Sequence, residues 1–314
     1  MLGDMADLHL LTTRQLLDAG GGVVTARQLR EAGVGVAQVA SMVAKGLLHR
    51  LRRDVLVDAG LWEGAPPWDR HALRAVGVVR SLDPAGAGEV ALSHHSSLAV
   101  RRVCLHGVDD DAHLVRLTPG RPYRSTALQV HSRVDAQLVS TVDGLAALDP
   151  APSVLQVAAL FGPVAGLVAA DSALHQGLCT PGDLRALTSW TAVRQGRRHV
   201  EVVVALADGR RESAGESRTA WALHLLGHGD AVPQAVIRTP LGEFVARVDF
   251  LLGRVVIEFD GMGKYTGSAV LKSEKLREDA LRALGYEVVR LTWDDLDDLA
   301  VVRAKIGAAL ARCA

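Results

Sequence analysis

The run from Ala246 to Gly261, Ala-Arg-Val-Asp-Phe-Leu-Leu-Gly-Arg-Val-Val-Ile-Glu-Phe-Asp-Gly, constrains this chain more than any other stretch. It reads as two strands meeting at Gly253-Arg254, with carboxylates at positions that would otherwise be apolar. Successive side chains of a strand point to opposite faces, so Glu258 and Asp260 share one face. Ile257 and Phe259 share the other, which is expected to face a core. Asp249, on the first strand, is placed to lie beside Glu258 across the hairpin. Three carboxylates gathered at one sheet edge repel one another. A hard divalent cation, Mg2+ or Mn2+, relieves that repulsion and takes oxygen ligands of this kind. Taken singly, each acid also reads as a solvated strand-end group; the joint pattern carries the argument.

A chain of 314 residues is long for one domain, so two or three are expected. Hydrophobic residues make up 49% and the mean hydropathy is +0.18, enough for real cores. Aromatics are only 4%, so those cores should be rich in Leu, Val and Ala. No run approaches the ~20 apolar residues of a membrane span. Asp4 and Asp7 sit where a secretory leader would be basic. Cys104, Cys179 and Cys313 are far apart and show no Cys-x-x-Cys spacing, so neither a disulfide framework nor a zinc site is supported. A reduced, cytoplasmic setting without membrane partners is expected. The net charge is zero, but residues 1–133 carry 16 basic against 13 acidic groups, residues 134–210 carry 5 against 7, and residues 211–314 carry 14 against 15. A neutral total argues against nonspecific coating of nucleic acid and leaves room for a local basic face.

The pattern along the chain predicts a multidomain α+β / α/β protein of four regions: a winged helix-turn-helix (1–62), a small mixed domain (63–133), a helical linker region (134–212) and a last α/β domain (213–314). In the first, a helix near Leu8–Ala19 stops at Gly20-Gly21-Gly22. Thr25-Ala26-Arg27-Gln28 is a capping box that starts a second helix, ended at Gly33. A third helix, about Val36–Lys45, ends at Gly46. Residues 47–57 then read as two short strands with a basic turn. In that arrangement Gln38, Ser41 and Lys45 face a DNA major groove, and Arg50, Arg52 and Arg53 lie near phosphates. A helical adaptor with a solvated basic loop has the same pattern.

Residues 65–133 predict a helix near Trp68–Ser81 and strands at Val115–Thr118 and Ala127–His131. Leu92-Ser93-His94-His95-Ser96-Ser97 begins like a capped helix. It tempts a Ser/His hydrolase reading, but no Gly-x-Ser-x-Gly elbow exists and no motif places an acid. Residues 134–210 read as mostly helical, with a well-formed helix start at Thr180-Pro181-Gly182-Asp183. The basic cluster Arg194 to His199 suits either DNA phosphates or a solvated helix start. From Ser213 the order is α-β-β-β-α-β-α: helix Ala214–Leu226, strands Gln234–Arg238, Phe244–Leu252 and Val255–Asp260, helix Ser268–Leu284, strand Tyr286–Leu291 and a terminal helix.

Residues ~213–300 resemble the restriction-endonuclease-like nucleases. More closely they resemble an uncharacterised bacterial family related to the very-short-patch-repair (Vsr) endonucleases. The resemblance rests on Glu216-Ser217-Arg218, Arg247-Val248-Asp249-Phe250, Glu258-Phe259-Asp260-Gly261, Lys264-Tyr265, Glu274-Lys275 with Arg277-Glu278-Asp279, Leu284 to Arg290, and Thr292-Trp293. Residues ~8–60 resemble the N-terminal winged helix of AbiEi-type antitoxins through Val24 to Leu29 and Leu51-Arg52-Arg53-Asp54-Val55. Asp54 and Leu56 stand there in place of the usual Gly and Tyr. The Ser93-His94 segment also fits that family's second domain.

The nuclease resemblance implies that Asp249 and Glu258 hold the metal and that Glu216 adds a carboxylate from the first helix. The nuclease motif Glu-x-Lys has a lysine where this chain has Asp260, so Lys264 or Lys275 would supply the cation. The pairs Lys275–Asp279 and Glu278–Arg282 read more simply as helix-surface ion pairs. Two functions follow. One is a cytoplasmic DNA-binding protein with a metal-dependent DNA endonuclease domain, its catalytic set Glu216, Asp249, Glu258, Asp260 and Lys264. The other is an antitoxin-like transcriptional regulator whose nuclease fold is inactive and binds DNA, a cognate toxin or a defence partner.

Overall fold

The computed structural model describes residues 2–82, 84–190, 195–261 and 268–313. They form two compact units, Met1–Ala169 with Gly182–Val204, and Ala170–Pro181 with Ala205–Ala314.

The first unit opens with helix Leu2–Ala19, strand Val23–Thr25, helices Ala26–Glu31 and Val36–Ala44, and strands Leu48–Arg52 and Val55–Asp58. The last strand lies between the other two and is antiparallel to both. The Thr25 side chain accepts the Gln28 amide at 3.1 Å, and the Gln28 side chain accepts the Thr25 amide at 2.9 Å, closing the expected capping box. Leu17, Val24, Leu29, Val39, Met42 and Leu56 form the core of this module. The order is that of a winged helix.

Helix Pro67–Ser81 serves two sheets. Leu73 and Val76 pack on Val23, Val55 and Val57 of the three-stranded sheet, while Ala75 and Val78 join the core of a second sheet. A Cβ on Gly77 would meet the Val55 side chain at 2.3 Å, so only glycine allows this approach. The division expected at residues 62/63 is therefore bridged by a shared helix.

The second sheet has six strands in the order Tyr123–Ser125, Leu128–Arg133, Ala112–Arg116, Val90–Leu92, Leu145–Leu148 and Val139–Val142. Its last two strands come from the region expected to be a helical linker, so the boundary expected at 133 falls inside one sheet. The sequence 145–148, Leu-Ala-Ala-Leu, has helical propensity, but burial of Leu145, Ala147 and Leu148 against the sheet prevails. The turn before it is Asp143-Gly144, with φ +47° and +78°, the pair of positive angles a type I′ hairpin needs. Helices Pro150–Phe161, Pro163–His175, Pro181–Ala186 and Arg197–Leu206 follow. Arg194 lies outside the described residues. Arg197 pairs with Glu201 at 3.1 Å on an exposed helix start, the solvated reading of that cluster.

In the second unit, strands Val232–Arg238, Phe244–Leu252 and Val255–Phe259 run antiparallel in sequence, and Glu287–Leu291 adds parallel to the third. With helices Ala214–Leu225, Ser268–Ala283 and Leu299–Cys313 the order is α-β-β-β-α-β-α, with one further short helix, Trp293–Asp297. Gly253 takes φ +58° at the first position of the two-residue turn between Leu252 and Val255. Phe250, Val255 and Ile257 face a cluster with Leu223, Val302 and Ile306; Val248 and Val256 face another with Leu281. The strand Val255–Phe259 is thus covered on both sides. Each of its buried side chains contributes ~1.5–3 kcal/mol of burial free energy.

Among the described residues no helix is long and apolar enough to cross a membrane.

Candidate functional site

Asp249, which feels the charges of Glu216 and Glu258, lies at a fault in the sheet. The ladder pairs Pro233 with Phe250 and Ala235 with Val248, and skips Gln234 and Asp249 between them. Gln234 has φ +53°, the left-handed region. Asp249 turns instead to the next strand, where its Oδ2 accepts the Phe259 amide at 2.8 Å. Here the third strand has run past its last ladder pair with the second, Phe250 with Ile257.

Glu216 arrives from a different element. Ser213 caps helix Ala214–Leu225, its Oγ accepting the Glu216 amide at 3.2 Å and donating to Glu216 Oε1 at 2.8 Å. Glu216 Oε2 accepts the Glu212 amide at 3.0 Å and Gln234 Nε2 at 2.7 Å. The helix start fits closely over the strand end, because a Cβ on Gly215 would sit 2.1 Å from the Phe259 ring. Ser213-x-x-Glu216 is a capping-box spacing. It gives Glu216 a structural role that the sequence reading passed over.

Glu258 is held by a cation. Arg277 Nη1 and Nη2 donate to Glu258 Oε1 and Oε2 at 2.7 and 2.8 Å, a two-pronged pair only partly open to solvent. The sequence resemblance implies Lys264 or Lys275 as the cation. Lys264 lies outside the described residues, Lys275 is exposed, and Arg277, two positions on, is the residue that reaches the acid. Asp260 follows the strand's last residue, and its amide donates to Leu291 O at 2.8 Å. The i,i+4 pair Glu278–Arg282 forms at 2.7 Å, as expected of a helix surface.

The electrostatics register the crowding. Burial, then the charges of Glu216 and Glu258, push the Asp249 carboxyl up to about 6, against the Phe259 amide and Arg277, which lower it. In donor chemistry the set fits a hard divalent cation. In arrangement it is closed: Arg277 occupies both Glu258 oxygens, protein donors hold both Glu216 oxygens, and the three acids are not among the described groups whose ligand atoms all fall within 4.8 Å. A cation at this place requires Glu258 to release Arg277.

In the N-terminal module, Gln38, Ser41 and Lys45 are all exposed along one side of helix Val36–Ala44 and its end, while Val39 and Met42 are buried behind them. At the turn of the wing, Arg50 and Arg53 are exposed, and Arg50 Nη1 donates to Arg53 O at 2.6 Å. Arg52 is half-buried, its Nη1 enclosed without a hydrogen-bond partner. The exposed cations of the wing are therefore Arg50 and Arg53.

Comparison with known proteins agrees with this module. Residues 12–56 match the family model described as "Transcriptional regulator, AbiEi antitoxin". Two uncharacterized proteins, from two strains of Mycobacterium tuberculosis, are each 31% identical to this chain over 186 residues, which is 57% of this chain and 67% of theirs. The chain belongs to the family of these mycobacterial proteins, and its N-terminal segment is of the AbiEi antitoxin type.

Proposed function

We propose that the protein is a DNA-binding transcriptional regulator of the antitoxin type, acting through its N-terminal module. The observation that carries this reading is a coincidence of position. The segment that matches the AbiEi family contains both the exposed row Gln38, Ser41, Lys45 and the exposed cations Arg50 and Arg53. The row would read base edges in a major groove, and the wing would contact phosphates. A cognate toxin or defence protein is the partner this class implies. The test is fluorescence anisotropy of the full chain with duplex DNA from its own promoter and with a scrambled duplex, across a salt series. Specific binding should weaken when Gln38 and Ser41 are replaced by Ala. Replacing Arg50 and Arg53 by Ala should flatten the salt dependence by up to about two units of slope, at ~0.9 per phosphate. Equal affinity of wild type and both variants would overturn the reading.

A second reading is a metal-dependent DNA endonuclease in the second unit. It is favoured by one observation, the Asp249 carboxyl pushed up to about 6 by burial and then by the charges of Glu216 and Glu258. In it Asp249, Glu258 and Glu216 would hold Mg2+ or Mn2+, and Asp260 and Lys264 are the further residues the nuclease resemblance implies. The ion would supply charge neutralisation and an activated water at a phosphodiester. Incubation of supercoiled plasmid with Mg2+ or Mn2+, beside Asp249→Asn, separates the two: no metal-dependent nicking by the wild type leaves the regulator alone.

A further inference from the structure

Away from the acids, the first unit gathers histidines in its interior. His94, His113 and His131 each offer a ring nitrogen, and these nitrogens all lie within 4.8 Å of one another. They come from three elements: the first residue of helix His94–Ala99, the strand Ala112–Arg116 and the parallel neighbouring strand Leu128–Arg133. His113 pairs with Gln129 and Val115 with His131, so His113 and His131 are diagonal neighbours on one sheet face. His94 brings the third ring through a backbone at φ +48°, uncommon for a residue with a side chain and found where the surroundings hold it.

We propose that His94, His113 and His131 form a binding site for a borderline divalent transition metal ion, with Zn2+ as the best match. The outward nitrogens of His113 and His94 already have the partners such a site needs. His113 Nε2 lies 3.0 and 3.1 Å from the two oxygens of Asp109, so its proton belongs there and its Nδ1 lone pair points inward. That is the carboxylate–histidine arrangement that orients metal-binding imidazoles. His94 Nδ1 is 2.9 Å from Ser93 Oγ, which leaves Nε2 for the ion. The inward atoms His113 Nδ1 and His131 Nε2 are 2.9 Å apart. A tetrahedral ion with Zn–N bonds of ~2.1 Å needs about 3.4 Å between ligand nitrogens, and places ring centres about 5 Å apart. The His94–His113 and His113–His131 ring centres are both at 5.2 Å, while His94 and His131 stack at 4.0 Å and would open by about 1 Å.

Protonation suits a ligand role. Burial pushes the His131 imidazole down to about 4 and the His94 imidazole well below its ordinary value, so both are neutral near pH 7. Ring nitrogens of this kind turned toward one point and taken out of water are costly to bury without a partner. His94 and His113 are buried while His131 is half-buried, so His131 is the ligand of the three nearest to solvent. Three protein nitrogens complete three of four tetrahedral positions, leaving the fourth for water or another ligand.

The test uses the tag-free full chain, stripped with chelator, with Co2+ as an optical probe and Zn2+ as competitor. One equivalent of Co2+ should give the visible bands of a tetrahedral nitrogen site, and Zn2+ should displace it. His131→Gln should abolish these bands. Asp109→Asn, which keeps all three ligands, should weaken binding 10–100-fold. Asp249→Asn should leave them unchanged, since that residue belongs to the other candidate site. Absence of one-equivalent binding by the wild type, or wild-type binding by His131→Gln, would overturn the proposal. Should His131→Gln fail to fold, the Asp109→Asn titration decides, with unchanged affinity counting against the site.

Discussion

Arg277 closes on Glu258 with both ends of its guanidinium, at 2.7 and 2.8 Å. The helix Ser268–Ala283 is thereby tied to the strand Val255–Phe259 at the point where the acids gather. Hydrogen bonds between charged groups in such partly buried positions are worth ~1.5–3 kcal/mol each way of counting. A double-mutant cycle with Glu258→Gln and Arg277→Met, read by chemical denaturation, should give a coupling of about 1–3 kcal/mol. A coupling below about 0.5 kcal/mol would reduce the pair to a solvated surface contact.

Asp249 stands between two other carboxylates, and its carboxyl is pushed up to about 6 by burial and then by their charges. The unfolded chain has this group near 3.8, so it releases its proton more readily unfolded than folded. The cost of the charge is therefore absent below about 3.8, grows as pH rises, and is complete above about 6. Asp249→Asn keeps an acceptor for the Phe259 amide and removes the charge. It should raise the melting temperature at pH 7.5, with the gain shrinking as pH falls toward 4. A pH-independent difference would show that the Asp249 carboxyl is not raised in the folded protein.

Gly215 is fixed by contact rather than by backbone angle. A Cβ there would fall 2.1 Å from Phe259, whose ring also meets Trp293 edge-on at 4.5 Å between ring centres. Gly215→Ala must push the helix start off the strand end, and such overpacking costs ~1–3 kcal/mol. The same shift carries Glu216 away from Asp249. The variant should lose stability and should also bring the Asp249 carboxyl down toward its ordinary value, a paired outcome readable by melting and by NMR titration. Loss of stability without the second change would mean that Glu216 does not act on Asp249.

The local code of the chain was legible where one signal dominated. The Thr25–Gln28 capping box, the turn at Gly253 and the order of elements after Ser213 follow from caps, glycines and period-two apolar patterns. That Asp249 feels the charge of Glu258 was also within reach, because strand parity and one hairpin place the two on neighbouring strands. What depends on long-range partners was not legible. Residues 145–148 pair locally with 139–142 through the Asp143-Gly144 turn, but that this hairpin joins the six-stranded sheet, by Leu92 pairing with Ala147 across more than fifty residues, is stated by no local pattern. Arg277 lies within the motif Glu274-Lys275 with Arg277-Glu278-Asp279, yet nothing in its spacing shows that it, rather than Lys275, faces the acid. The histidines are scattered over positions 94, 113 and 131, with none of the short spacings that mark metal ligands, and only the fold of the six-stranded sheet brings them to one place.

His71 gives the histidine-rich interior a measurable pH dependence. It is fully buried, its Nε2 lies 2.9 Å from Ser96 Oγ and its Nδ1 3.2 Å from Asp109 O, and burial pushes its imidazole down to about 4. His95, buried beside it with neither ring nitrogen hydrogen-bonded, is pushed down to about 3 for the same reason. Both rings therefore bind protons more readily in the unfolded chain, where the ordinary value is 6.5. Their contribution to stability is complete above about 6.5 and is lost progressively as pH falls toward 4. For His71 the loss across that window is roughly 3 kcal/mol. Metal-free protein should show a melting temperature that is flat above pH 7 and drops steadily between pH 6.5 and 4. His71→Gln should be less stable than wild type at pH 7.5 but should lose less on acidification. A wild-type melting temperature unchanged between pH 7 and pH 5 would mean that these histidines are solvated in the folded protein.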